Sequence, residues 1–542
     1  MFILSFLKKF TTLEKFILLL VFAIYCNNLF IDIMQVDAAQ YAGISAEMAQ
    51  THSYLEVKDL QQDYLDKPPL LFWISSCGIS LFGTNNFGYK IASFLLLLFS
   101  LYALYRFTRL YYSEKVSKNA MLILATSQSY FLMTNDVRTD APLTSCVIAS
   151  IWLFSEYFEN RKRKHLLLGS IFIGLGMLSK GPIALIAILF PIGINLIYHK
   201  KWKDVFHWHW FLVVFIVALL LFPMSYGLYT QFDSHPEKGK SGLYFYYWLQ
   251  SFGRITGESN WNNGTPWHFF LGTSIWDYFP WIFPLYFSIF YTLKKLFSKE
   301  KCTEITTLVG FVSVFAMLSL SKYKLPHYVF VTFPFAAVIT AVYLSDLDSK
   351  KWKNWFNTYY ILGILFLVIL LLYPFFIFKE FNFILLLCIL VQLFLLIQIR
   401  KQPEESIGKL VSCILVLNVF LSFVFYPKLL SFQADSMASK WAFDTIKNEK
   451  IYIYEKPSNS FNFYSKNPFN SVINQKELQN IKAPCWIYIE DEKLENLKKL
   501  KFKIVENKEF SSYPITRLKL KFLLSDTRAK ELHKKHLIKI SN

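Results

Sequence analysis

A mainly helical fold that crosses a membrane many times, with a small α/β unit at its carboxyl end, is what this sequence predicts. Three observations predict it. Of 542 residues, 54% are hydrophobic, and the mean hydropathy is +0.33, which is too apolar for one soluble core. Apolar stretches of about 20 residues, the length that crosses a bilayer at about 1.5 Å per residue, recur about thirteen times. From about Pro427 onward the chain becomes polar and rich in Lys and Asn.

The apolar stretches centre near Leu20, Leu97, Leu124, Ile148, Ile173, Ile188, Phe215, Phe287, Val312, Val338, Leu367, Leu390 and Val416. Only Ser179-Lys180-Gly181-Pro182 separates the fifth from the sixth. Loop charge supplies an orientation. Arg106/Arg109/Lys115/Lys118, Arg161–Lys164, Lys200/Lys201/Lys203, Lys294/Lys295/Lys299/Lys301, Lys350/Lys351/Lys353 and Arg400/Lys401 occupy alternate loops. The positive-inside rule places them, with the amino terminus, on the cytoplasmic side. The loops at 32–89 and 231–268 then face outward, into the periplasm in a cell with an inner membrane. An odd number of spans also puts residues 427–542 outside. The first span, Phe16 to Ile31, follows Lys8, Lys9 and Lys15 but lacks a small-x-small cleavage site, so it reads as retained.

Within the tail, Ile451-Tyr452-Ile453-Tyr454 and Trp486-Ile487-Tyr488-Ile489 alternate as short strands do. Helical patterns over Ser436–Asn448 and Glu492–Lys499 intervene. The net charge of +19 is spread in short clusters between apolar runs. That suits anionic lipid contact and excludes a nucleic-acid groove. The 19% aromatic share fits interfacial belts. The seven cysteines are scattered with no CxxC pair, and the histidines are isolated or cytoplasmic, so no metal and no cofactor are expected.

The chemistry concentrates in the outward loops. Asp37 precedes a helix predicted over Ala38–Gln50, with Tyr41, Ile44 and Met48 on one face. Two roles fit Asp37: an N-cap for that helix, or a general base at the membrane surface. Next comes Tyr64-Leu65-Asp66-Lys67-Pro68-Pro69. A residue before proline is steered to extended backbone, and Pro68 or Pro69 fits the first turn of an apolar helix over Leu70–Phe82. Lys67 then stands beside helix-start amides, where phosphate binds readily; the alternative is a surface Asp66–Lys67 pair, which is worth little. Asp136, Arg138 and Asp140 form a second outer cluster, Lys180 a third charged point, and Lys324 with Tyr328 a fourth. Arg254 adds a cation in the long outer loop. Each alone is explained as an interfacial residue. Cations recurring on five outer loops oppose the inward bias of positive charge and suggest an anionic substrate.

These motifs, in order, resemble a known family. Asp37-x-x-x-Tyr41 with Glu47-Met48, Tyr64-x-Asp66-Lys67-Pro68-Pro69, Leu81-Phe82-Gly83, Arg138-Thr139-Asp140-x-Pro142-Leu143, Leu178-Ser179-Lys180-Gly181-Pro182, Pro280-Trp281 and Lys324-Leu325-Pro326-His327-Tyr328 run through the membrane part. Together they are similar to bacterial glycosyltransferases of the lipid A aminoarabinose transferase and protein O-mannosyltransferase type. The resemblance implies a GT-C fold and transfer of a sugar from a polyprenyl-phosphate donor to a lipid, glycan or protein acceptor on the outer face of the cytoplasmic membrane. It implies catalytic roles for Asp37 and Asp140. It implies donor-phosphate binding by Lys67, Arg254, Lys180 and Tyr328, and a substrate cavity with Tyr41, Tyr64, Asp66, Arg138 and Lys324. Two positions depart from the pattern: Ala38 follows Asp37 where the family often has Glu, and Gln40 replaces a basic residue common in the aminoarabinose branch.

Two rivals share these features. A transporter or flippase of lipid-linked saccharides predicts charges buried in mid-span, whereas here the charges sit at outer span ends. An oligosaccharide ligase fits the cation count but not the motif order. The sequence does not specify the sugar, the acceptor, the oligomeric state or the task of the tail.

Overall fold

The structure is a computed structural model that describes residues 8–256, 258, 262–298, 300–401, 407–446, 449–466, 471–498 and 502–541; for 254, 255, 409, 410, 412, 413, 496 and 498 it gives backbone alone. It is mainly helical. Six helices among these residues are long and apolar enough to cross a membrane: Asn86–Tyr111, Asp140–Asn160, Trp202–Asp233, Pro326–Ser345, Ser349–Phe376 and Phe383–Lys401. A pair bent by 79°, Ile414–Leu430 and Ala434–Thr445, makes a seventh if it counts as one span. All thirteen apolar centres fall inside helices, but several of those helices are shorter than a full span.

The breaks have local causes. The stretch around Leu124 divides into Glu114–Ala125 and Gln128–Asn135. Between them, Thr126 and Ser127 turn their hydroxyls back onto the carbonyls of Leu122 and Leu124, a bond that competes with the helix ladder. Between Arg163–Lys180 and Ile183–Tyr198, Gly181 adopts φ +84°, where a side chain would be strained. The Gly174-x-Gly176 pattern serves close packing: a Cβ on Gly174 would lie 2.7 Å from Leu220.

Burial grades the bundle. Asp140–Asn160 is enclosed along its whole apolar stretch, whereas Ser349–Phe376 and Phe383–Lys401 turn most of theirs outward. The enclosed helix carries Asp140 at its first position, so the bundle's centre fixes one acid of the site.

Past Ala434 the chain forms a five-stranded sheet in the order Ser471–Ile473, Ile451–Tyr454, Cys485–Glu490, His533–Ser541, Lys503–Ser512. The first three are parallel and the last two antiparallel to their neighbours. Both alternating segments are strands. The helical patterns shift: the helices are Ala434–Thr445 and Leu494–Lys498, and the sequence expectations at 447, 448 and 499 lie outside the described residues. The compositional change at Pro427 falls within the helix Tyr426–Leu430, and the chain bends only after Leu430.

The sheet region is bonded to the loop after the first span. Tyr464 accepts from the Ile33 amide at 2.8 Å and donates to Asn86 at 2.7 Å. Gln433 accepts from the Gln35 amide and donates to the Ile33 carbonyl. These bonds set the loop backbone that leads into Asp37.

Candidate active site

Asp37 is the first residue of the helix Asp37–Thr51; the cap position is Val36, and no side chain caps it. The N-cap reading of Asp37 is therefore set aside. Its carboxylate reaches sideways instead, with Oδ2 2.5 Å from Arg138 Nη1. The same guanidinium holds Asp136 Oδ2 at 2.7 Å through Nε. Burial works against the charge of Arg138, but Asp136 and Asp37 outweigh it and hold the group above its ordinary value. Burial also raises Asp136, in spite of Arg138. Arg138 is thus a clasp between two chain segments, fixed by its fork of donors.

Lys67 lies in an Asp66 pair at 2.8 Å, its side chain only 9% exposed. It is not the surface pair that spacing allowed. Pro69 sits at the cap of Leu70–Phe82, one position before the first turn where the sequence reading put it. The Asp66 carbonyl accepts from Gln250, which ties this turn to the second outer loop. Lys180, the last residue of its helix, makes a 2.5 Å bond to Asp140 Oδ1, and its ammonium stands 3.9 Å from the centre of the Tyr328 ring. His327 Nε2 lies 3.7 Å from Asp140 Oδ2. Asp140 thus gathers Lys180 and His327 at the centre of the bundle.

Two cavities flank this cluster. The smaller, about 70 Å³, is lined by Lys67, Lys180, Tyr328 and Gln250 on its polar side and by Ile183, Ile186, Phe252, Met317 and Leu318 on its apolar side. The larger, about 530 Å³, is lined by Asp37, Asp136, Arg138, Asp140, His327 and Asp277 among others. The Asp140–Lys180–His327–Tyr328 group forms their shared wall. An anion held by two lysines can therefore lie next to a chamber that is mostly apolar, carries four aspartates and Arg138, and is large enough for a saccharide.

Several expected residues are placed elsewhere. Tyr41 is buried in an apolar cluster against Phe72, where it supports its helix rather than lining either cavity. Lys324 donates to the Thr265 carbonyl at 3.1 Å, clamping the outer loop, and lines neither cavity. Tyr64 lines a narrow slot of about 30 Å³ behind Asp66 and Lys67. The side chain of Arg254 lies outside the described residues. Gln40 bonds Asp59 at 2.6 Å.

Three residues escaped the sequence reading. His327 was visible only as part of a motif. Asp277 follows an apolar stretch and carries no spacing signal, yet it is buried, lines the larger cavity, and its Oδ2 has no hydrogen-bond partner among the described residues. Lys90 is wholly buried and donates to the carbonyls of Asn28 and Ile31 at 3.0 and 2.8 Å. Those carbonyls end the first span, where a cation is favoured by the helix dipole. Lys90 therefore fixes the loop leading to Asp37.

Comparison with known proteins bears on this arrangement. Residues 66–226 match the family of dolichyl-phosphate-mannose-protein mannosyltransferases. An uncharacterised protein of Aquifex aeolicus is 27% identical over 63% of this chain and 66% of its own length. The undecaprenyl phosphate-alpha-4-amino-4-deoxy-L-arabinose arabinosyl transferase of Wigglesworthia glossinidia brevipalpis is 26% identical over 60% of this chain and 57% of its own. The chain thus spans less than two thirds of the length of these relatives. Among solved structures, ArnT from Cupriavidus metallidurans bound to undecaprenyl phosphate superposes with a TM-score of 0.73 at 13% identity, covering 96% of this chain and 97% of that one. At that identity the likeness shows the fold. In sequence and in fold, this chain resembles the GT-C membrane glycosyltransferases of the aminoarabinose transferase and protein mannosyltransferase type.

Proposed function

We propose that this chain is a membrane glycosyltransferase that moves a sugar from a polyprenyl-phosphate donor to an acceptor on the outer face of the cytoplasmic membrane. In this reading the thirteen apolar segments all cross or enter the bilayer, the amino terminus is cytoplasmic, and residues 427–542 form an outward α/β domain. One observation carries the proposal. Two largely enclosed lysines and a tyrosine line the polar end of an apolar slot, and Asp140, bonded to one of those lysines, lines with His327 a much larger chamber. The slot suits a phosphoryl group with an apolar chain leaving beside Ile183, Ile186 and Met317; it is too small for a saccharide. The C. metallidurans structure bound to undecaprenyl phosphate and the arabinosyl transferase relatives support the same donor class.

The chemistry follows from the charges. As the bond between the sugar's anomeric carbon and the phosphate oxygen breaks, its electron pair moves onto the phosphate. Lys67 and Lys180 stand where that charge develops, so their bonds strengthen in the transition state. Both are already oriented, by Asp66 and Asp140, so little reorganisation is needed. Asp37 keeps Oδ2 on Arg138 and offers Oδ1 to the acceptor, taking its proton if the acceptor is a hydroxyl and orienting it if it is already anionic. Asp277 accepts a hydrogen bond from a hydroxyl or ammonium in the larger chamber, which is the partner its Oδ2 lacks.

The test is transfer from a radiolabelled lipid-linked sugar in reconstituted membranes. Wild-type chain should transfer label, and Lys67→Ala and Asp37→Asn should not. Undiminished transfer by both variants would falsify this site.

A further inference from the structure

The tail carries an exposed segment, Arg517-Leu518-Lys519-Leu520-Lys521, whose make-up the proposed chemistry does not use. Leu518 is 44% and Leu520 70% exposed, and three cations alternate with them without an acid between. Lys519 reaches Glu531 at 3.4 Å with two thirds of its side chain still exposed.

The segment is held rigidly. The Tyr513 hydroxyl donates to the Arg517 carbonyl at 2.8 Å and accepts from the Lys519 amide at 3.1 Å. The Tyr513 ring stacks on Phe522, and its amide bonds the Phe432 carbonyl. A stapled turn therefore presents the leucines outward at low entropic cost.

Its height is fixed too. Arg528 donates to the carbonyl of Ile377 and lies over the Phe378 ring at 4.3 Å. Ile377 is the residue that ends the span Ser349–Phe376. Asp526 pairs with Lys379 at 2.7 Å. Exposed Phe375, Phe376, Phe381 and Phe383 surround that span end. The segment is thus tied to the level where a membrane-spanning helix leaves the bilayer.

We propose that residues 517–521 dock on the outer leaflet, with Leu518 and Leu520 entering the headgroup–acyl boundary and the alternating cations engaging anionic glycerophospholipid headgroups. Exposed leucines flanked by lysines at the bilayer edge are the pattern of interfacial anchors. Ile515 to Leu518 also line the larger cavity, so the docked segment is the cavity's membrane-side rim. The inference rests on the membrane reading above but not on sugar transfer, and its test needs no turnover.

Leu520→benzoylphenylalanine is made in the full chain, which is placed in nanodiscs of phosphatidylcholine, or of phosphatidylcholine and phosphatidylglycerol at about three to one, and photolysed. Val505→benzoylphenylalanine, on the exposed strand Lys503–Ser512 of the tail's sheet, is the comparison. Lipid adducts are expected at 520 and not at 505, with phosphatidylglycerol over-represented by at least about threefold relative to its share. Adding Lys519→Gln and Lys521→Gln should abolish that enrichment while adducts persist. Absence of adducts at 520 overturns the proposal, as do equal adducts at 505. Enrichment that survives the double substitution overturns the headgroup contact.

Discussion

The two cavities are built from the same kinds of residue but hold their charges differently. In the small slot Lys67 pairs with Asp66 and Lys180 with Asp140. In the large chamber Arg138 is engaged by two, Asp37 and Asp136, while Asp277 keeps an oxygen without a partner among the described residues. An ammonium on a long, rotatable side chain can turn one of its three donors to an incoming anion. An arginine between two carboxylates is committed to holding them. The difference separates residues that handle substrate from one that keeps the site assembled.

Arg138→Leu should show the largest effect and break the comparison if it does not. It would leave two carboxylates facing each other, one of them buried, and losing one member of such a cluster costs about 3–5 kcal/mol. A thermal shift in detergent should fall accordingly, and transfer should vanish with the fold. Arg138→Lys restores charge but not the fork, so it should recover only part of the stability. If Arg138→Leu stayed within about 0.5 kcal/mol of wild type, the clasp would not be one.

Lys67→Ala should behave oppositely: transfer down by about 100- to 1000-fold, with the melting point little changed. The substitution removes a group that matters only when charge develops on the phosphate. A loss confined to KM would mean that Lys67 binds donor and transition state equally. Asp277→Asn ranks third. Losing a hydrogen bond is worth about 0.5–1.5 kcal/mol, so kcat/KM should drop by about threefold to tenfold. Stability should hold or rise, because the unsatisfied oxygen is replaced by a neutral amide. Unchanged kcat/KM would leave Asp277 outside the reaction.

Much of this was legible in the sequence, for physical reasons that also explain the gaps. Lys67 could be placed because proline constrains its neighbour and starts a helix; the structure gives Leu70–Phe82 as read. Apolar run length put all thirteen centres inside helices and marked the break at Gly181, but not the one at Thr126 and Ser127, since back-bonding hydroxyls leave no hydropathy trace. The Arg138 clasp joins residues 101 positions apart, and a single sequence carries no signal for such a pairing. Lys324 shows the converse: an outer-loop lysine looks the same in sequence whether it meets substrate or a backbone carbonyl. Asp277 stayed hidden because an aspartate at a helix end is ordinary until its surroundings are known.

The smallest effect expected concerns the junction between the tail and the outer loop, and it is a pH effect. Asp435 accepts from Lys535 at 2.8 Å, Tyr488 at 2.6 Å, Ser458 at 2.8 Å and Gln35 at 3.3 Å. Burial pushes its carboxyl up, but Lys535 and the Tyr488 and Ser458 hydroxyls outweigh burial and hold it below the usual carboxylate value. A depressed folded value means that the stabilisation is fully present above the unfolded value of about 3.9 and is lost as pH falls through the folded one. Amide protection factors over the described residues of 434–464, with the intrinsic exchange rate divided out, should therefore stay flat from neutral pH down to about 4 and fall only below it. In Asp435→Asn the acid-dependent fall should disappear, and protection should be lower than in wild type above about pH 4, because Lys535 keeps, among the described carboxylates, only Glu490, 3.7 Å away. Protection lost already between about pH 7 and 5 would assign the junction to another group. Both this carboxylate and the Arg138 clasp tie the outer loop down, but Asp435 does so from the tail, where a local opening leaves the slot and its lysines intact.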